Sequence, residues 1–447
     1  MRLYASALAG WVSPADAFAQ LYLDHANSFW LDRETHPTEP FSIIGAGASV
    51  DWVPAERLHS ALTQRLEALV GIDVLSAGEL PFAWRPGAVA LIEYEGSAAV
   101  LDVDRALVFD HRKRQMYFVG LFADREDFTH WEHAALLRLA LVGGKLAGHL
   151  QASRSANTTA ATLRHAPGAY LDLIDRAQEH IVAGDVYQLC LTNRLRVTTD
   201  KDAFAAFNEL RVQSPAPYAS FVRLTRADGT TLEVASSSPE QFLAVDATGR
   251  VSTKPIKGTR PRVRAADGSI ETQADAFMAA ELAADEKERA ENLMIVDLMR
   301  NDLLRVCEPN SIAVTALFDV ESYATVHQLV STVEGQLVVG ATAVDALIAA
   351  FPGGSMTGAP KLRAIELIAE LEDAPRGVYS GVIGWIGANG ASDFGMTIRT
   401  MVFAGGEVEI GIGGGITSDS RAQAELEETR LKAAALLRVL GASDPWA

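Results

Sequence analysis

Cysteine, net positive charge and long apolar runs are all scarce in this chain, and each scarcity excludes a class of protein. Only two cysteines occur among 447 residues, Cys190 in an apolar run and Cys307 just past a helical segment. They supply neither a disulfide framework nor a cysteine zinc site, and a reducing cytoplasm is the expected setting. Lysine and arginine number 39 against 57 aspartates and glutamates, a net charge of -18. Nucleic-acid binding needs a basic footprint that this balance lacks, and an anionic ligand would have to be held by cations gathered locally. No stretch reaches the roughly 18 uncharged apolar residues of a membrane span, so no membrane partner is expected. Arg2 and the small apolar residues after it faintly resemble an export signal, but Gly10, Pro14 and Asp16 interrupt the run.

What remains is the composition of an ordinary globular protein, 49% hydrophobic and 21% charged. A chain of this length predicts two lobes or one large body with an accessory lobe. Residues 1 to about 150 read as short strands and helices, for example Ser42 to Gly45, Val89 to Tyr94 and Ala106 to Phe109. Gln151 to Pro167, rich in Ser, Thr, Ala and Asn without apolar periodicity, reads as a linker, and the boundary between the lobes is placed there. There Leu171, Ile174, Ala177 and Ile181 keep helical spacing, and Gly184 ends the helix before a strand beginning at Val186. Residues 270–308 contain no Gly or Pro and read as helix, as do 361–371 and 420–440. Residues 378–387, 395–403 and 407–413 read as strands. Glycines 390, 405 and 406 between consecutive strands predict hairpins, hence an α+β protein with mostly antiparallel sheet.

Several polar residues stand out. Lys257 lies in Pro255-Ile256-Lys257-Gly258-Thr259-Arg260, where Pro255 stiffens the chain and Gly258 permits close approach of a ligand. It is either a nucleophilic amine, its pKa lowered by burial or by Arg260 and Arg262, or a solvated loop lysine. Glu288 and Glu291 share one helix face with Ile295 and Leu298. They could hold a cation, or Glu288 could complete a capping box with Asp285. Glu425 and Glu428 repeat the spacing, and four glutamates from two helices would suit magnesium, whereas Glu428 and Lys432 alone could be an exposed helix pair. Gly411 to Ile416 and Phe351 to Lys361, with Ser355 in the latter, are either anion-binding loops at helix starts or plain turns. Arg399 reads as mid-strand and in need of a partner, Tyr379 as its neighbour on another strand, and Glu240 as a buried acid or a packed residue.

The runs Ser237-Ser238-Pro239-Glu240, Pro255 to Arg260, Lys287 to Glu291 with Ile295 to Asp302, Phe351 to Lys361, Gly411 to Ile416 and Glu425 to Lys432 together resemble the chorismate-utilising enzymes. Within them the chain is most similar to the component I branch of the aminodeoxychorismate synthases. The resemblance implies two stacked, mostly antiparallel sheets flanked by helices, the anthranilate synthase component I-like fold. It also implies Mg2+ held by Glu291 and Glu428 directly and by Glu288 and Glu425 through water. Tyr379, Arg399, Gly413, Gly414, Gly415 and Lys432 match substrate-carboxylate positions, Gly258, Thr259, His327 and Ser355 lie near the ring, and Glu240 matches the acid that protonates the departing C4 hydroxyl. Gln188 stands where water-adding members carry a lysine base. Lys257 stands where anthranilate synthases usually carry alanine, which favours a covalent lysine and 4-amino-4-deoxychorismate as product over anthranilate. Neither cysteine has the setting of a glutaminase nucleophile, so ammonia is expected from a separate glutaminase subunit, component II. In relatives the N-terminal lobe holds a tryptophan pocket near Ser28 to Arg33, and Arg33 departs from the small polar residue of regulated enzymes.

Overall fold

Strand Ser28–Asp32 shows how the layers are built: it is buried along its whole length, with Phe29 and Leu31 facing one core and Trp30 the other. Side chains alternate across a strand, so such a segment must be covered on both faces. In the computed structural model, which describes residues 1–8, 10–74, 78–140, 146, 157–265 and 267–446, this strand belongs to a 12-stranded sheet that packs on a second sheet of 10 strands. Every strand-to-strand pairing among the described residues of the two sheets is antiparallel. Leu3, Phe29, Val108 and Val234 from one sheet meet Val89, Leu101, Ile383 and Trp385 from the other in the inner core. Helices Pro14–Leu21, Arg125–Ala140, Ala203–Gln213 and Ala422–Leu440 cover the outer face of the larger sheet. Helices Leu58–Leu69, Glu286–Leu303 and Ala343–Ala350 cover the smaller.

Strands from before residue 150 and after residue 165 contribute to both sheets. Ser28–Asp32 pairs with Tyr218–Thr225, and Gly87–Ile92 pairs with Val382–Gly387. Part of the stretch read as a linker, residues 151–156, lies outside the described residues, and in the remainder Thr162–Leu163 pairs with Arg196 and Leu195 as a short strand of the larger sheet. Among the described residues, no helix is long and apolar enough to cross a membrane.

Three local expectations are corrected. The helix read across 270–308 is two, Thr272–Ala284 and Glu286–Leu303, because Asp285 leaves helical geometry and its carboxylate accepts the Glu288 N–H at 3.1 Å. The strand read across 395–403 is also two. Ser392–Met396 pairs in the 10-stranded sheet and Thr400–Ala404 in the 12-stranded one, so the chain changes sheets at residues 397–399. A second change of sheet falls at Pro239 and Glu240, between strands Thr231–Ser238 and Gln241–Val245. The third concerns Gly411 to Gly415, which form no loop before a helix. They lie inside strand Glu407–Ile416, paired with Gln188–Thr198.

Candidate active site

A cavity of about 370 Å³ opens where strand Ile256–Pro261, at an edge of the smaller sheet, approaches the glycine-rich strand of the larger one. Both changes of sheet open onto it, placing Glu240 and Arg399 in its wall. Helices Glu286–Leu303 and Ala422–Leu440 close the remaining side with Glu288, Glu291, Glu425, Glu428 and Lys432. Gly258, Thr259, Ser355, Tyr379, Gly413, Gly414 and Gly415, also predicted, line it as well.

Lys257 reaches the cavity through a bulge. Ile256 pairs with Val330 but Thr259 with Gln328, so three residue steps on one strand oppose two on the other, and the extra residue turns the lysine out of the ladder. Gly258 is required there twice over. Its φ is +86°, and a Cβ would lie 2.9 Å from Leu282 and 3.0 Å from the Glu288 carboxyl carbon. The glycine strand serves by absence of side chains. A Cβ at Gly411 would sit 2.0 Å from the Tyr379 ring, and one at Gly415 would sit 2.9 Å from the Lys257 ammonium and 2.5 Å from the Gln188 amide nitrogen. Bare backbone at these positions is what lets Tyr379 and Lys257 approach the wall.

Electrostatics differ from end to end. Burial pushes the Glu240 carboxyl up to about 7, against the lowering effects of a hydrogen bond from Ser355 and the charges of Lys257 and Lys432. Lys257 is 3.5 Å from Glu291. Burial opposes its charge, yet Glu291, then Cys190, Glu240 and Glu428, hold its pKa above the ordinary lysine value. The sequence expectation of a lowered pKa is therefore corrected: Arg262, one of the two cations counted on to lower it, turns away to Asp275 at 2.7 Å. Glu288 is raised by burial and by repulsion from Glu291, Asp285 and Glu428. Glu428 is drawn down, against burial, by Lys432 at 2.7 Å and by Lys287 and Lys257. Arg399 has φ of +52°, the left-handed region that a non-glycine residue enters at a cost, and burial lowers its pKa. The cost arises at the change of sheet and leaves the guanidinium on the cavity.

His327 is the exception among the predicted residues. Its ring lies on the far face of strand Val326–Gln336, 3.1 Å from Asp275 and 2.8 Å from the Ser322 hydroxyl, and it does not line the cavity. Strand alternation explains this, since its neighbour Gln328 lines the cavity instead.

With this geometry in place, comparison with known proteins is direct. Residues 79–438 match the family described as chorismate binding enzyme. The chain belongs to that family. A Streptomyces griseus protein named aminodeoxychorismate synthase is 45% identical over 82% of this chain, and the chain spans 52% of that protein's length. Anthranilate synthase component 1 of Streptomyces coelicolor is 36% identical over 95% of this chain and 86% of its own length. The crystal structure of anthranilate synthase component I from Streptococcus pneumoniae shares the fold with a TM-score of 0.70, at 26% identity, over 97% of this chain and 92% of that one. The anthranilate synthase component I-like fold is thus established for this chorismate-binding family member.

Two contributors to its site, Lys287 and Gln328, escaped sequence reasoning, and Arg260 was expected to act on Lys257 alone. Lys287 stands out in the sequence only as the first residue of the run to Glu291, yet its ammonium is 3.1 Å from Glu425 and 3.7 Å from Glu291. Arg260 lies 3.6 Å from Glu288. Gln328 carries no local pattern that marks it. For Lys287 a signal existed, since it stands four residues before Glu291, the spacing of a helix ion pair.

Proposed function

We propose that this chain aminates chorismate with ammonia to 4-amino-4-deoxychorismate, through a covalent bond from Lys257. The observation that carries the reading is the pairing of an amine on a bulge, Lys257, with a glutamic acid buried enough to keep its proton near neutrality, Glu240, in one cavity. The Lys257 amine, as free base, would attack C2 of the ring while the C4 hydroxyl leaves as water with the Glu240 proton, both ring double bonds shifting, C1–C2 to C1–C6 and C5–C6 to C4–C5. Ammonia would then add at C4, the electrons would shift back, and the C2–N bond would break, returning the amine and losing one proton to solvent. Arg399, the Lys432 ammonium and the backbone N–H groups at Gly413 to Gly415 are assigned to the substrate's carboxylates, with Tyr379, Thr259 and Ser355 shaping the ring's place. All lining residues fall between 190 and 436, which supports residues 165–440 as the catalytic portion, with residues 1–150 completing the sheets.

The donor chemistry at the other end suits magnesium. Four carboxylates are hard oxygen ligands, and burial together with repulsion from neighbouring carboxylates raises the pKa of Glu288. Among the described residues no three acidic, imidazole or thiol groups converge as metal ligands. Magnesium commonly takes one or two carboxylates and fills its other positions with water and substrate oxygens, so a spread set remains compatible. Glu291 and Glu428 would hold it directly, Glu288 and Glu425 through water. Bound there, it would take the ring carboxylate and offset the charge that keeps Lys257 protonated.

Ammonia is assigned to a separate glutaminase subunit. A second reading, anthranilate synthesis, is favoured by the near full-length similarity to the Streptomyces coelicolor protein. Incubation with chorismate, magnesium and ammonium separates the two. A product that a lyase converts to para-aminobenzoate is expected, and anthranilate fluorescence without that lyase overturns the assignment.

A further inference from the structure

The lysine that the sequence reading left aside carries a further step, one that rests on the magnesium reading above. Each of the four helix glutamates of the cavity has a cation of the protein within ion-pair reach. Lys257 pairs with Glu291, Arg260 with Glu288, Lys432 with Glu428, and Lys287 with both Glu291 and Glu425. Three of these cations are committed elsewhere. Lys257 is only 13% exposed and fixed on its bulge, Arg260 is braced by Glu281 and Asp285, and Lys432 also donates to the Gly413 carbonyl at 2.8 Å. Lys287 alone of the four touches glutamates of both helices, and its side chain is 45% exposed.

We propose that Lys287 is an internal stand-in for the divalent cation, joining helix Glu286–Leu303 to helix Ala422–Leu440 while the metal is away and withdrawing to solvent when it enters. The physical grounds are charge and reach. Carboxylates gathered in a partly desolvated cavity repel one another unless a cation sits among them. An ammonium on a flexible stem supplies that charge without a fixed geometry, and a half-exposed one is rehydrated on leaving. An arginine, held by a planar fork, would leave less readily. The ammonium also spaces the donors, in keeping with the lack of a converged ligand set among the described residues. Metal affinity is then set by competition with the chain's own lysine.

The test is calorimetric titration of chelator-treated, full-length protein with magnesium chloride, without substrate. Lys287→Met should bind magnesium about tenfold more tightly than the wild type, the worth of one partly exposed charge-assisted contact. Its metal-free form should also melt below the metal-free wild type, while the two melt together at saturating magnesium. Arg289→Gln removes the same charge from the same helix, but Arg289 stacks on Phe318 at 4.4 Å instead of facing the glutamates. It should change the affinity by less than about twofold. Equal affinity in Lys287→Met and wild type, weaker binding in the variant, or an equal gain in Arg289→Gln overturns the stand-in role and leaves the magnesium reading intact. Absence of magnesium uptake by both wild type and Lys287→Met overturns the two together.

Discussion

Glu240 and Glu428 are the same side chain in the same cavity, yet their surroundings drive them apart. Glu240 sits at a change of sheet, 5% exposed, and burial raises its carboxyl to about 7. Glu428 sits on a helix with its side chain 51% exposed and an ammonium 2.7 Å away, which keeps it ionised. One end of the cavity can donate a proton near neutrality, and the other can only present negative charge. The separation follows from where the chain places each residue: a crossover between sheets is walled by both, whereas a helix at a cavity mouth keeps access to water.

Substitutions can break this division, starting with the residue between the ends. Lys257→Ala should lower 4-amino-4-deoxychorismate formation by about ten-thousandfold or more if the amine is the nucleophile. Product analysis by chromatography checks it, and an unchanged rate removes the covalent role. Glu240→Gln keeps size but not the proton, and should cost about a thousandfold in kcat with little change in KM. Gly415→Ala places a methyl where the Lys257 and Gln188 tips now meet, and about a hundredfold loss in kcat/KM is expected with the circular dichroism spectrum unchanged. Glu428→Gln acts only at the charged end and should raise the KM for chorismate about tenfold at limiting magnesium.

The smallest effect is on pH dependence. Because the Glu240 carboxyl is raised, its acid form prevails below about pH 7 and is lost above it, so kcat should fall as pH rises through about 7. Ser355 bonds the ionised form and so lowers this value. Ser355→Ala should move the falling limb to higher pH, and a limb that stays in place or moves down would show that Ser355 does not govern the acid.

Much of this site was legible before folding. The glutamates at helical spacing, the lysine between proline and glycine and the glycine run all lie on the cavity, because local chain stiffness and helix periodicity are written in neighbouring residues. Apart from the local break at Asp285, what failed did so at points of long-range pairing. His327 and Gln328 differ by one step in strand register, and nothing in the local sequence says which faces the cavity. Arg399 could be read as mid-strand because the flanking residues are strand-like on both sides. The break arises only because those halves belong to different sheets.

The sequence alone determined which residue types exist at which spacing, and hence helices such as Lys361–Glu372 and Ala422–Leu440, some of the strands and the two glutamate pairs, since these depend on contacts a few residues apart. Tertiary structure decided the rest. Strand register chose the face of His327, the bulge at Lys257 and the changes of sheet at Glu240 and Arg399 set their directions, and burial together with neighbouring charge fixed which carboxyl keeps a proton. Most of those properties depend on groups outside the local segment, as with His327 and Asp275 or Ile256 and Val330, and only their packing brings the fields and the excluded water to one place.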